Sequence, residues 1–133
     1  MPAQIPASHA DLLRPGTKAF AALALVNNQG EPVVTPIWFD YDGQDIVINT
    51  ARGRVKDRLL SKKPIVALMV EDPNNPYRYI QIRGPVVSET EEGGYAQISA
   101  LNQKYQGNPN YPKYPGEVRV TYKIRPESVT TMG

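Results

Sequence analysis

The sequence predicts a mainly β (α+β) fold, a small antiparallel barrel of six strands with short connecting helices. Three observations predict it. Most apolar segments either alternate with polar residues or run short and continuous, the patterns of strands. Prolines and turn-forming pairs punctuate them: 13 prolines fall between the apolar segments more than inside them. Only short stretches carry a helical period. With 133 residues there is room for one core, so 1–133 reads as a single domain.

The elements follow in order. Residues 8–14 form a short helix, with Ser8 placed to cap it by accepting from a free backbone N–H, and Pro15-Gly16 ends it. Lys18–Val26 is the first strand and Asn27-Asn28-Gln29-Gly30 a turn. Val33–Tyr41 is the second strand. Asp42-Gly43 then suits a tight turn, because glycine tolerates positive φ. Asp45–Thr50 is the third, with Ile46 and Ile48 on one face and Val47 on the other. Over 54–62 the period changes: Val55, Leu59 and Leu60 recur at helical spacing until Pro64. Ile65–Val70 is a nearly continuous apolar strand, and Glu71–Pro76 a polar loop. Tyr77–Val87 alternates well, with Gly84-Pro85 introducing a bulge or bend. Ile98, Leu101 and Tyr105 stripe a helix over 95–106, and Gly107 caps its C-terminus. A loop rich in Pro, Tyr and Asn spans 108–116, and Glu117–Arg125 is the last strand.

Absences narrow the chemistry. There is no Cys, which removes disulfides, thiolate metal sites and a cysteine nucleophile. The single His9 cannot make a multi-histidine metal site, so no metal is expected. No Gly-x-Ser-x-Gly elbow accompanies it. Neither dinucleotide-binding nor phosphate-loop glycine motifs occur. No apolar run approaches membrane-spanning length, and residues 1–5 do not begin a secretory signal, so the expectation is a cytoplasmic protein. The net charge of +2 argues against a dedicated duplex-DNA binder. With no apparent nucleophile or metal, an enzyme of this sequence needs a cofactor to carry its chemistry.

Three features can hold such a group. Arg52, Arg54, Lys56, Arg58, Lys62 and Lys63 crowd twelve residues against one acid, Asp57, at a strand-to-helix junction that follows Asn49-Thr50. A helix start offers unpaired N–H groups, so with Arg54, Lys56 and the Thr50 hydroxyl an anion such as a phosphate would be held there. A solvated basic face explains the same charges. Second, Pro36 within Thr35-Pro36-Ile37-Trp38-Phe39 removes a ladder donor, so that strand is an edge or is bulged, with backbone groups free to face a ligand. Trp38, the only Trp, also suits a core or interface anchor. Third, Tyr77-Arg78-Tyr79 begins a strand where aromatic and guanidinium planes can cover a flat ring or form an interface patch, as can Tyr105, Tyr111 and Tyr114.

Taken in order, Thr35-Pro36-Ile37-Trp38-Phe39, Asn49-Thr50, Gly53-Arg54-Val55-Lys56, Lys63-Pro64, Asp72 to Tyr79 and Arg83-Gly84 resemble the split β-barrel flavin and deazaflavin oxidoreductases, relatives of pyridoxamine 5′-phosphate oxidase. The closer resemblance is to the F420-dependent branch, and it covers about Ala10 to Val129. It implies an FMN-binding type of split barrel and a homodimer with a cofactor in each of two grooves between subunits. By position, Asn49, Thr50, Arg54 and Lys56 would bind the cofactor phosphate. Thr35, Pro36, Ile37 and Trp38 would line its ring, and Tyr77, Arg78 and Tyr79 would reach in from the partner. Coenzyme F420 is the expected cofactor and FMN the alternative, with hydride transfer to or from a small unsaturated substrate. Residues that mark true pyridoxamine phosphate oxidases are not found. Arg52, Arg58 and Lys62 either serve the acidic F420 tail or face water. Two rival readings stand beside this one, a cofactor carrier without turnover and a small barrel that binds single-stranded nucleic acid.

Overall fold

The computed structural model describes residues 3–133. Among these, eight strands form: β1 (Ala21–Val26), β2 (Pro32–Ile37), β3 (Asp40–Tyr41), β4 (Ile46–Ala51), β5 (Ile65–Asp72), β6 (Asn75–Thr90), β7 (Arg119–Ile124) and β8 (Ser128–Met132). Helix α1 (Val55–Leu60) links β4 to β5, and α2 (Gly94–Gln106) follows β6. Every ladder is antiparallel, in the order β2-β1-β5-β6-β7-β4-β3, with β8 alongside β6.

The expected six strands are therefore eight, for two reasons. The segment 33–41 breaks at Trp38-Phe39, which separates β2 from the two-residue β3. Strand β8 is short and gains its definition only from its ladder on Tyr79–Arg83. The path is also open, since it ends at β2 and β3. These two edges are separated by Trp38 and Phe39 alone, so they meet at that corner with no ladder between them, as in a split barrel.

The backbone at this seam needs partners, and α2 supplies them. Tyr105 donates its hydroxyl to Ala19 O at 2.7 Å and accepts from Phe39 N–H at 3.4 Å. Lys104 Nζ donates to Phe39 O at 3.0 Å. Burial pushes the Tyr105 hydroxyl up to about 12, so it stays a neutral donor.

Strand β6 bends where the sequence places Gly84-Pro85. Its first part pairs with β5 and β8, and its last residues pair with β7. A Cβ on Gly84 would lie 1.7 Å from Arg125 O, so only glycine allows the β7–β8 connection to cross there. The register slips between Val86 and Ser88, a bulge two residues beyond the predicted place. The core fills the rolled sheet, with Leu23, Phe39, Ile46, Leu68, Ile80, Ile82, Tyr122 and Ile124 among its members. A smaller cluster of Ile98, Leu101 and Tyr105 packs with Trp38 and Tyr111 beneath α2.

The N-terminal helix is a 3₁₀ helix over Ala7–Leu13, with Pro6 at the N-cap position and no side-chain cap. Ser8 lies inside the first turn, and its hydroxyl bonds His9 Nδ1 at 2.8 Å instead. His9 Nε2 in turn donates to Met132 O at 2.9 Å, which ties this helix to β8. No helix among the described residues is long and apolar enough to cross a membrane.

Candidate functional site

Two cavities flank Lys56. The larger, about 370 Å³, is lined by Phe20, Pro36, Ile37, Trp38, Ile48, Asn49, Lys56, Ile98, Leu101, Tyr111 and Arg119. The smaller, about 320 Å³, is lined by Leu23, Leu25, Val33, Thr35, Thr50, Arg54, Val55, Lys56 and Leu59. Between them they gather Thr35, Pro36, Ile37, Trp38, Asn49, Thr50, Arg54 and Lys56, eight of the residues singled out from the sequence. The fold explains the convergence. Edge strand β2 brings Thr35, Pro36 and Ile37, the break after it brings Trp38, the end of β4 brings Asn49 and Thr50, and α1 turns Lys56 back between the cavities. Pro36 sits on an edge in regular register with Ala22, so the missing N–H breaks no ladder and no bulge is needed.

The polar groups are unbalanced. Arg54 is 58 % exposed at its side chain and stands 3.5 Å from Glu117. Arg119 is only 8 % exposed. Its Nε donates to Asn49 Oδ1 at 2.8 Å, and its Nη1 lies 3.4 Å from Glu117 Oε1 yet makes no hydrogen bond. Burial holds the Lys56 ammonium below the usual lysine range, and the neighbouring charges of Arg54 and Arg119 lower it further. Thus Arg54 and Arg119 share one carboxylate, Glu117, and Lys56 has no ion pair among the described residues. That surplus of positive charge, with a buried donor unused, fits an anionic group. The helix dipole contributes little, because α1 has six residues and the Gly53 N–H before it already donates to Asp57 Oδ2.

Phe20, Trp38 and Tyr111 add aromatic rings to the lining of the larger cavity. Trp38 stacks on Tyr105 with centroids 5.3 Å apart and planes 8° apart, and Phe20 packs against Tyr105 at 5.2 Å. The Arg119 guanidinium lies 5.2 Å over the Tyr111 ring, and Tyr95 donates its hydroxyl to Tyr111 O. The larger cavity thus combines aromatic rings with the cations Lys56 and Arg119, a lining suited to a flat ring that carries an anionic group.

Asn49 lines the cavity, but both ends of its amide are engaged: Oδ1 accepts from Arg119 and Nδ2 donates to Gly94 O at 2.8 Å. It orients Arg119 and the start of α2. Within this chain Tyr77, Arg78 and Tyr79 do not join the cavities. Tyr77 is 82 % exposed. Arg78 is tied to Asp11, to Asp72 at 2.9 Å and to Ser8 O, and so holds the N-terminal helix on the β5–β6 hairpin. Of the further basic residues, Arg52 pairs with Asp57, Glu89 and Glu91, whereas Lys62 donates to Asn28 Oδ1 and Arg58 is exposed. Sequence reasoning missed Arg119, which reads there as the polar side of an alternating strand. Strand β7 is instead buried on both faces, because α2 covers one of them. Gly94 carried the signal, since a Cβ there would lie 2.4 Å from Arg119 O and so marks close contact between α2 and β7.

An open antiparallel sheet of this order, with a cation-lined groove beside its seam, defines a flavin-type split barrel. Residues 6–133 match the family described as pyridoxamine 5′-phosphate oxidase, and the chain belongs to that family. It is similar to a solved F420 reductase at 31% identity, covering 95% of this chain and 98% of that one, with a TM-score of 0.82. A conserved hypothetical protein from Mycobacterium tuberculosis shares 20% identity over 98% of this chain and 86% of its own, with a TM-score of 0.74. HupZ from Group A Streptococcus shares 18% identity over 96% and 94%, with a TM-score of 0.68. A search of curated proteins finds no match to this chain.

Proposed function

We propose that this chain is a deazaflavin-dependent oxidoreductase that binds coenzyme F420, with FMN as the alternative cofactor, and transfers hydride to or from a small unsaturated substrate. The observation that carries the reading is the surplus of cations around Lys56 beside the aromatic rings of the larger cavity. The similarity to an F420 reductase over nearly the whole chain favours F420 over FMN. When bound, the cofactor supplies a hydride donor or acceptor at its central ring.

The chain's own residues bind and orient. Arg54, Lys56 and the Thr50 hydroxyl would hold the phosphate as charge-assisted partners. Pro36, Ile37 and Trp38 would support the ring, and the apolar walls exclude water from it. A second copy of the chain would complete the groove. Edge strand β2 leaves Val33 and Val34 exposed, with Phe20 and Val55 exposed nearby in the cavity walls, and the exposed Tyr77 would reach across from the partner.

Titration with F420 and with FMN, followed by ring fluorescence, tests the reading. The double variant Arg54→Ala/Lys56→Ala should lose affinity by at least about tenfold, since each charge-assisted contact is worth roughly 1.5–3 kcal/mol. Unchanged affinity would remove the phosphate site. Oxidation of the reduced cofactor by enone or quinone acceptors separates an enzyme from a carrier, and analytical ultracentrifugation reads the dimer.

A further inference from the structure

Resting on that reading, we propose that Arg119 seats a second anion, the carboxylate of a flat, apolar substrate that binds in the larger cavity beside the cofactor. Arg119 is anchored rather than free. Its Nε is fixed on Asn49 Oδ1 at 2.8 Å, and its guanidinium plane rests over Tyr111. Its Nη1 is buried without a hydrogen bond and lies 3.4 Å from Glu117 Oε1, while Glu117 Oε2 lies 3.5 Å from Arg54. A buried guanidinium nitrogen that has an ion pair but no hydrogen bond is under-satisfied, so its place in a cavity wall points to a partner that arrives with the ligand.

That partner differs from the cofactor phosphate. Arg54 lines the smaller cavity and not the larger, and Arg119 lines the larger and not the smaller. Lys56 lines both, so a phosphate seated on Arg54 in the smaller cavity leaves Arg119 on the far side of Lys56 with Glu117 as its one carboxylate. Around Arg119 the wall is made by Trp38, Ile98, Leu101 and Tyr111, which admits a planar apolar body and offers few other polar contacts. A planar carboxylate meets both demands, because its two oxygens match the guanidinium fork.

The test uses the full chain, ¹⁵N-labelled, with trans-cinnamate and its uncharged isostere trans-cinnamamide. The single indole N–H signal, that of Trp38, reports occupancy without turnover. Cinnamate should bind at least about tenfold more tightly than the amide. Arg119→Gln should bring the two within about twofold, and Arg119→Lys should keep part of the preference. Cinnamate should still bind when F420 saturates the protein. Equal affinity of acid and amide in the unaltered protein would overturn the proposal, whether or not a variant folds. A preference that survives Arg119→Gln would do the same, and so would displacement of cinnamate by F420, which would assign Arg119 to the cofactor. Failure of F420 and FMN to bind would refute the proposed function alone, and the acid–amide comparison would still decide the role of Arg119.

Discussion

Tyr105 is 6 % exposed, and its hydroxyl sits at the corner where β2 and β3 part, bonded to Ala19 O and Phe39 N–H. Removing it as Tyr105→Phe leaves a buried carbonyl and a buried amide unpaired while the ring keeps its stack on Trp38. The expected loss is about 1–3 kcal/mol, read as a lower urea midpoint at unchanged slope. A near-neutral result would mean that the seam finds its partners elsewhere. At this scale the sequence was partly legible. Arg54, Lys56 and Pro36 were readable because their types demand an unusual setting: crowded like charges, and a proline that cannot donate. Arg119 and Tyr105 were not, since each fits an ordinary pattern, a polar strand position and an apolar helix stripe. What distinguishes them is the tertiary partner, and periodicity says nothing of that. Arg52 erred in the other direction. It belongs to a basic cluster in sequence, yet the end of β6 and the residue just beyond it bring Glu89 and Glu91 from far along the chain.

Helix α2 is the element that makes the larger cavity, and its first residue governs how closely it approaches β7. A Cβ at Gly94 would meet the backbone of Arg119 at 2.4 Å, and neither chain can yield without disturbing Asn49, which donates to Gly94 O. Gly94→Ala is therefore expected to lose about 1–3 kcal/mol, the range for overpacking. It should also weaken F420 binding, which a substitution acting on stability alone would leave intact in the folded fraction. Calorimetric unfolding and cofactor titration of the same variant check both. Most elements were legible because alternation, turn pairs and prolines agree with one another over long segments. Their ends shifted where backbone pairing decides: β6 runs past its predicted span at both ends because β5 and β7 remain in reach. Strand β8 was missed because a short threonine-rich tail carries no period of its own, and β3 was read as one strand with β2 because nothing in the pattern of 33–41 marks the break at Trp38-Phe39.

For the whole molecule, the charges with most consequence are those buried beneath α1. Burial alone would raise the Asp57 carboxyl, but hydrogen bonds from Tyr122, Gly53 and Arg52 outweigh it and hold it below the usual range. Glu89 is held low as well, chiefly by its hydrogen bond from Arg52. A carboxyl that is more acidic in the folded chain stabilises it above the unfolded value, about 4, and that stability is lost as pH falls through the depressed folded value. The urea midpoint should therefore be flat from about pH 5 to 7 and fall steeply below about 4. Asp57→Asn should lower the plateau and flatten the fall, and an unchanged acid limb would show that other carboxylates govern it. The overall class of fold was legible from the residue pattern, whereas the split of the barrel came from the family resemblance, because closure depends on how far a sheet curls rather than on any local preference. One strand has a wider bearing. Since β6 holds β5 and β8 along one stretch and β7 along the next, it is the strand through which the two halves of the sheet are joined by ladders. The halves must then melt together in one cooperative transition, and a protease cut inside β6 would dissolve both, whereas a nick in the 108–116 loop would leave every ladder standing.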